Sequence, residues 1–497
     1  MEAPAELSSW ICTWMRRMKL SPLSSLSSLE GSIGKLEVQP KTKMRASPMI
    51  RGRISRMGRK SLPALHPAGI LIGAIFTGIG VFVAETFVGP VLSKSLAPAE
   101  ERMLGMVHQR LSESYVEPRD PEWLMHRAIE GMTTSLEDPY TYFIGPEQMV
   151  ELDEDSSGKL IGIGVIIDSV SGNVRYPILD GPAAEAGILP GDRFLAIDGE
   201  DVREQSVEEL IQRIKGPRSS QVKFELERAD GSLFSTTVTR RAVPRGTVAK
   251  TELLDQGLGI GYLHLRSFAR STPNELDLAL DQLTELGQSD YGTGTGLKGL
   301  ILDLRFNTGG LLDSAIDVAA RFLDGGVVCR LQVRGAEDVV RHADTALSKA
   351  TDIPLVVLTN GLSASGSEVL AGALRDHGAA ILFGSRTFGK GVYQQVHRYR
   401  SGNFALKFTA GYYLTPSGRI LEGHIDPDRA GGLIPDVPLQ TSHENSREVR
   451  NWLNYDLPPV IWREDVFRLF PEVAEFTAPD DQVRKMALDH LREVLSS

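Results

Sequence analysis

Cysteine is scarce in this chain of 497 residues: Cys12 and Cys329 are the two it has. A disulfide framework and a cysteine-bound zinc site are thereby excluded from the body, which holds one thiol. Cys329, beside Val327 and Val328, reads as a core residue. The zinc-protease pattern His-Glu-x-x-His does not occur, and no other cluster of metal-ligating residues stands out. A net positive charge is lacking over most of the chain. The formal net charge is −10, yet residues 1–60 carry 12 Lys/Arg against 4 Asp/Glu, so the remainder is more acidic than the total suggests. An acidic body argues against nucleic acid as a partner. The length predicts two or three domains, with ordinary apolar content for their cores.

Charge of either sign is missing between Ser61 and Ala84, where no Asp, Glu, Lys or Arg occurs. The heart of that run, Ile70–Val83, follows Arg51, Arg53, Arg56, Arg59 and Lys60. An apolar stretch of this length with a basic flank predicts a transmembrane anchor over residues 61–92, with the N-terminus in the cytoplasm and the body across the membrane. A cleaved signal peptide is the alternative. Its candidate cleavage site, Ala97-Pro98-Ala99, lies well past the apolar run, and Pro98 fits it poorly. Residues 1–60, rich in Ser, Pro and basic residues, read as disordered. Met44, Met49 and Met57 offer alternative starts for translation.

Residues 99–157 predict two short helices and an extended piece, with Leu104, Val107, Leu111 and Tyr115 on one helical face and Asp138-Pro139-Tyr140 near the end. Residues 158–243 read as a separate β-rich module. It opens with a strand Ile161–Ile167, continues through Gly181-Pro182-Ala183-Ala184-Glu185-Ala186-Gly187 and a strand from Gly191-Asp192, and turns at Asp198-Gly199. A helix capped by Ser206 and Glu209 follows and ends at Gly216-Pro217. This order resembles a PDZ domain. The resemblance implies that a peptide joins as an added strand, and that amides at Gly162, Ile163, Gly164 and Val165 hold its terminal carboxylate. Residues 244–440 alternate apolar strands with helical stretches, the pattern of an α/β core. Residues 287–298 form a surface loop, and 441–497 are mainly helical.

Two segments of the core carry chemistry. Ser363-Ala364-Ser365-Gly366-Ser367-Glu368 lies between a buried strand and an apolar-sided helix. A serine at such a turn sits beside free N–H groups and the positive end of the helix dipole, which can stabilise an oxyanion. The same serines would also serve simply as helix caps. Phe388-Gly389-Lys390-Gly391 follows the next strand. Lysine flanked by glycines can be turned inward, and burial without a counter-ion lowers its pKa far enough for it to act as a base. A phosphate-binding loop would need Ser or Thr after Gly-Lys, where this chain has Gly391.

Together these motifs resemble those of the carboxyl-terminal processing, or tail-specific, serine proteases. The lysine follows the serine by 25 residues, as in that family. Asp303-Leu304-Arg305-Phe306-Asn307-Thr308-Gly309-Gly310, Tyr413-Leu414-Thr415-Pro416-Ser417-Gly418-Arg419, Pro435-Asp436-Val437 and Asp138-Pro139-Tyr140 are further landmarks in order. The resemblance implies a crotonase/ClpP-like α/β protease core with an inserted PDZ domain. It implies Ser365 as nucleophile, Lys390 as base, Gln394 as the residue that holds the lysine, and N–H groups of Gly309 and Gly366 as the oxyanion hole. Two departures from the family's pattern are Gly366, where the family usually has Ala, and about ten extra residues at Glu422–Gly432. His264 reads as packed or solvated, and Asp303 with Arg305 as a pair supporting the Gly309 loop.

The expectation is a membrane-anchored serine endopeptidase without a cofactor. It sits in the inner or cytoplasmic membrane by a single pass, with its catalytic domain on the periplasmic side. Its partners are proteins or peptides with apolar C-terminal tails, and a homo-oligomer or an adaptor is compatible with the resemblance. An inactive, membrane-tethered peptide-binding scaffold is the alternative. Retention of Ser365, Lys390 and Gln394 together argues against it.

Overall fold

The strands Gly299–Asp303 and Leu355–Thr359 are buried along their whole length and consist mostly of Val, Ile and Leu, the composition of a sheet covered on both faces. In a computed structural model describing residues 98–288, 296–399, 404–423 and 431–497, they form the middle of one six-stranded sheet. Its order is Val248–Asp255, Ile260–Leu265, Gly299–Asp303, Leu355–Thr359, Ile381–Gly384, Val437–Pro438. All neighbours are parallel except the first pair. Alternation along each strand divides the core. Leu263, Leu265, Leu300 and Leu302 meet the helices Thr272–Gln288, Leu312–Ala320 and Gly366–Asp376 on one face. Tyr262, Ile301, Val356 and Leu358 meet His443–Asn454 and Gln482–Ser496 on the other. Cys329 is buried in the first of these cores. The strand ends carrying Asp303, Thr359 and Gly384 lie side by side, so the loops that follow them converge.

A second sheet is organised by one long strand, Phe404–Leu414. One of its edges pairs with Val392–Tyr399, and the other with Val327–Val333 and Tyr142–Ile144. That last pairing brings the N-terminal segment of the body to the core.

The module at 158–243 has its own core around Ile163, Phe194, Leu210, Val222 and Phe224. Asp198 (φ 52°) and Gly199 (φ 85°) make the predicted tight turn, and Ser206 with Glu209 caps the helix Val207–Ile214 reciprocally. The predicted strand Ile161–Ile167 is broken in two, Lys159–Gly162 and Val165–Ile167. Gly164 takes φ +75°, and the Ile163 and Gly164 carbonyls accept from Ala183 and Ile178 N–H instead of from a strand. The module rests on the C-terminal helices: Tyr176 packs with Val466, Phe470 and Val473.

The N-terminal part differs from expectation in two ways. Pro146–Ser157 is a third helix; its acidic run has no apolar period to announce it, and it ends on Gly158 at φ +70°. The helix Pro98–Ser114 buries none of its residues, so Leu104, Val107 and Leu111 remain exposed. Among the described residues no helix is long and apolar enough to cross a membrane. The predicted disordered head (1–60) and anchor (61–92) lie outside the described residues, as do 289–295 of the predicted loop and 424–430 of the extra segment.

Candidate active site

The loop after Leu355–Thr359 turns sharply into the helix Gly366–Asp376, and Ser365 sits at the turn with φ 56° and ψ −114°. A non-glycine residue held there costs about 1–3 kcal/mol, which the surroundings must offset. Three serines in this turn leave two roles open, capping or chemistry, and the contacts divide them. Ser363 Oγ donates to the Leu304 carbonyl at 2.8 Å and Ser367 Oγ to the Asn307 carbonyl at 2.9 Å. Both hydroxyls thus stitch the turn to the loop after Gly299–Asp303. The Ser365 hydroxyl has no such bond and is partly exposed.

Lys390 lies on the loop between Ile381–Gly384 and Val392–Tyr399. Burial lowers its amine from 10.5 to about 8; the Lys407 cation acts in the same direction, and Glu422, Asp138 and Glu368 oppose it. Among the described residues its ammonium has no ion pair, and its side chain does not hydrogen-bond to Ser365.

Glu368 joins the two loops. It is fully buried, and one of its oxygens, Oε2, accepts both the Ser365 N–H and the Lys390 N–H, each at 2.9 Å. Oε1 takes the Thr387 hydroxyl at 2.6 Å and the Gly389 N–H at 2.7 Å. The main chains of the serine and the lysine are therefore two hydrogen bonds apart through a single atom. Burial raises the Glu368 pKa against the pull of these four donors. The motif alone assigns this glutamate no role; the sequence signal for it is its place three residues after Ser365, the spacing of a capping box.

Asn307 organises the glycine loop. Its Nδ2 donates to the Leu265 carbonyl at 3.0 Å, and its Oδ1 accepts the Gly309 N–H at 2.9 Å. The predicted oxyanion donor Gly309 is thus already engaged. Its contribution here is space: at φ +102°, a Cβ would meet the Ala364 carbonyl at 2.8 Å and Ser365 Cβ at 2.9 Å. The N–H groups of Gly310 and Gly366 have no acceptor among the described residues. Gly310 N lies 3.7 Å from where a Cβ on Gly366 would be.

Below the loop, Arg305 is buried between two carboxylates. It meets Asp303 at 2.6–3.0 Å and Asp481 at 2.6 and 2.9 Å. Burial alone would raise Asp303, and the guanidinium outweighs it and holds the carboxyl low. Asp481 also caps the last helix, accepting from Arg484 N–H. His264 is packed rather than solvated, with Nε2 3.2 Å from the Arg305 carbonyl.

Residues 259–437 match peptidase family S41, and residues 174–228 match the PDZ domain. A carboxy-terminal-processing protease of Bartonella bacilliformis is 33% identical over 378 residues, 74% of this chain and 82% of that one. The chain belongs to the S41 peptidases. A probable CtpA-like serine protease of Staphylococcus aureus is 31% identical over 76% of this chain and 73% of its own. A solved photosystem II D1 C-terminal processing protease aligns with 29% identity over 70% of this chain and 90% of its own, at a TM-score of 0.39. The protein is thus a serine-type peptidase of the carboxyl-terminal processing family, and it carries a PDZ domain.

Two further predicted features of this S41 peptidase have definite places. Gln394 stands at a register shift in Val392–Tyr399, and its Nε2 donates to the Tyr140 carbonyl at 2.5 Å. It makes no hydrogen bond to the Lys390 amine, the bond expected of it. In the PDZ domain, Val165–Ile167 pairs with Val174–Pro177 on one edge and has no strand on the other among the described residues. Val165 and Ile167 pack against the core that also holds Leu210 and Ile214 of the helix. The Ile163 and Gly164 amides have no acceptor among the described residues.

Proposed function

We propose that this S41 peptidase hydrolyses peptide bonds near the C-termini of proteins with a Ser365–Lys390 dyad. The observation that carries the reading is the shared Glu368 oxygen. It fixes the two main chains together, beside a Ser365 hydroxyl that holds no other group and an amine whose pKa burial lowers to about 8. In this scheme neutral Lys390 takes the Ser365 proton, Ser365 Oγ attacks the peptide carbonyl, and the proton passes to the leaving amine. Water then releases the acyl group with Lys390 again as base. The oxyanion faces the Gly366 N–H at the positive end of its helix. Of the glycine pair before it, Gly310 has the N–H that is unengaged.

The open strand edge and the free amides at Ile163 and Gly164 support capture of an apolar tail as an added strand, with Gly162 and Val165 flanking its carboxylate. The basic flank and apolar run before residue 98 support a single-pass anchor in the inner membrane, with the catalytic unit on the periplasmic side. A peptide with an apolar C-terminus, and the same peptide amidated, test the whole reading. Cleavage of the free acid by the intact protein, lost in Ser365→Ala and weakened by amidation, is expected. Equal cleavage by Ser365→Ala would end it.

A further inference from the structure

Lysine between two glycines is free to point in many directions, and among the described residues nothing accepts a hydrogen bond from the Lys390 ammonium. Its close partner is an aromatic face: Nζ lies 4.6 Å from the centroid of the Tyr140 ring. Tyr140 is held from several sides. Asp138 closes the turn, with Oδ1 accepting the Tyr140 N–H at 2.9 Å and Oδ2 the Thr141 hydroxyl at 2.6 Å. Thr141 Oγ1 accepts the Thr409 N–H at 3.0 Å, and the next residues, Tyr142–Ile144, add as a strand to 405–407. Gln394, paired in register with Thr409, clamps the Tyr140 carbonyl.

We propose that Tyr140 is a positioning residue for Lys390, its ring face directing the amine, and that Gln394 acts on the lysine through the Tyr140 carbonyl. The inference rests on Lys390 being the base. A ring face attracts an ammonium and sheds water from it, so it aims a cation that has no fixed acceptor. It also gives the N-terminal segment of the body a part in the active site: the strand Tyr142–Ile144 carries the ring to the lysine.

The test compares Tyr140→Phe, Tyr140→Leu, Gln394→Met and Lys390→Ala in the full chain, reading kcat, KM and the pH profile of kcat/KM on an apolar-tailed peptide. Tyr140→Phe keeps the ring and is expected to keep kcat within about twofold and the profile in place. Tyr140→Leu keeps the apolar bulk and loses the ring face. Its kcat is expected to fall about tenfold at unchanged KM. Its acid limb is expected to move down by about half a pH unit, because the charged form loses an attraction. Gln394→Met is expected to lower kcat and to add nothing to Tyr140→Leu in the double variant. A Tyr140→Leu enzyme with wild-type kcat and an unmoved limb, or a Tyr140→Phe enzyme as impaired as Tyr140→Leu, overturns the role of Tyr140. Additive losses overturn the route through Gln394. A Lys390→Ala enzyme of full activity overturns instead the reading of Lys390 as base, while an inactive one beside a normal Tyr140→Leu confines the failure to Tyr140.

Discussion

The charge on Lys390 should be visible as a limb in the pH–rate profile. With its pKa brought from 10.5 to about 8, roughly a tenth of the amine is neutral at pH 7. An ordinary lysine would offer about 0.03%, so the site supplies on the order of 300 times more free base. The value of kcat/KM should then rise about tenfold for each pH unit below the limb and level off above pH ~8. Two charge changes should move the limb in opposite directions. Lys407→Gln removes a cation that lowers the Lys390 pKa, so its limb should rise; Glu422→Gln removes an anion that raises it, so its limb should fall. Glutamine at 422 retains a carbonyl oxygen for the Gly391 N–H, which Glu422 accepts at 3.0 Å. The assay is initial-rate cleavage of an apolar-tailed peptide at constant ionic strength, with folding checked at each pH. A flat profile from about pH 6 to 9, a limb near that of free lysine, or two variants shifting together would refute the reasoning.

Further outcomes follow from neighbouring contacts. Ser365→Ala should lose at least about a thousandfold in kcat with an unchanged melting temperature, because the hydroxyl holds nothing in place. Gly309→Ala should be inactive and less stable, since its Cβ would enter the Ser365 turn from a φ of +102°; the readouts are turnover and thermal melting. Asp481→Ala should cost about 3–5 kcal/mol in denaturant unfolding, as it strips one partner from the buried Arg305. His264 is held by burial to about 4 in the fold, against about 6.5 unfolded. The stability it contributes is full above pH ~6.5 and is lost as pH falls towards 4. The loss should reach about 2 kcal/mol at pH 5, and His264→Gln should remove that part of the pH dependence in melting curves.

The protease core and the two loops that carry Ser365 and Lys390 were legible because both rest on local pattern. Leu300, Ile301 and Leu302 announce a strand buried on two faces, and the 25-residue spacing from Ser365 to Lys390 spans one helix and one strand of such a sheet. Partners distant in sequence were not legible. Asp481 reaches Arg305 across 176 residues, and Gln394 reaches Tyr140 across 254; neither leaves a periodic trace. The break at Ile163-Gly164 escaped for another reason. Apolar alternation runs straight through it, and a positive φ at one glycine decides where the strand stops. Gly309 shows the same limit: the motif marks the glycine loop, and only the Asn307 side chain reveals which amide is already taken.

The most direct test of the account is to take the Lys390 amine away and return it chemically. Lys390→Cys should be inactive. Treatment with 2-bromoethylamine, which rebuilds a lysine-like amine on the new thiol, should restore cleavage, whereas the parent chain gains nothing; Cys329 is buried, with its thiol pushed up to about 12, and does not compete. Full activity in Lys390→Cys before treatment, or none after mass spectrometry shows the amine in place, would contradict the claim that this side chain is the base.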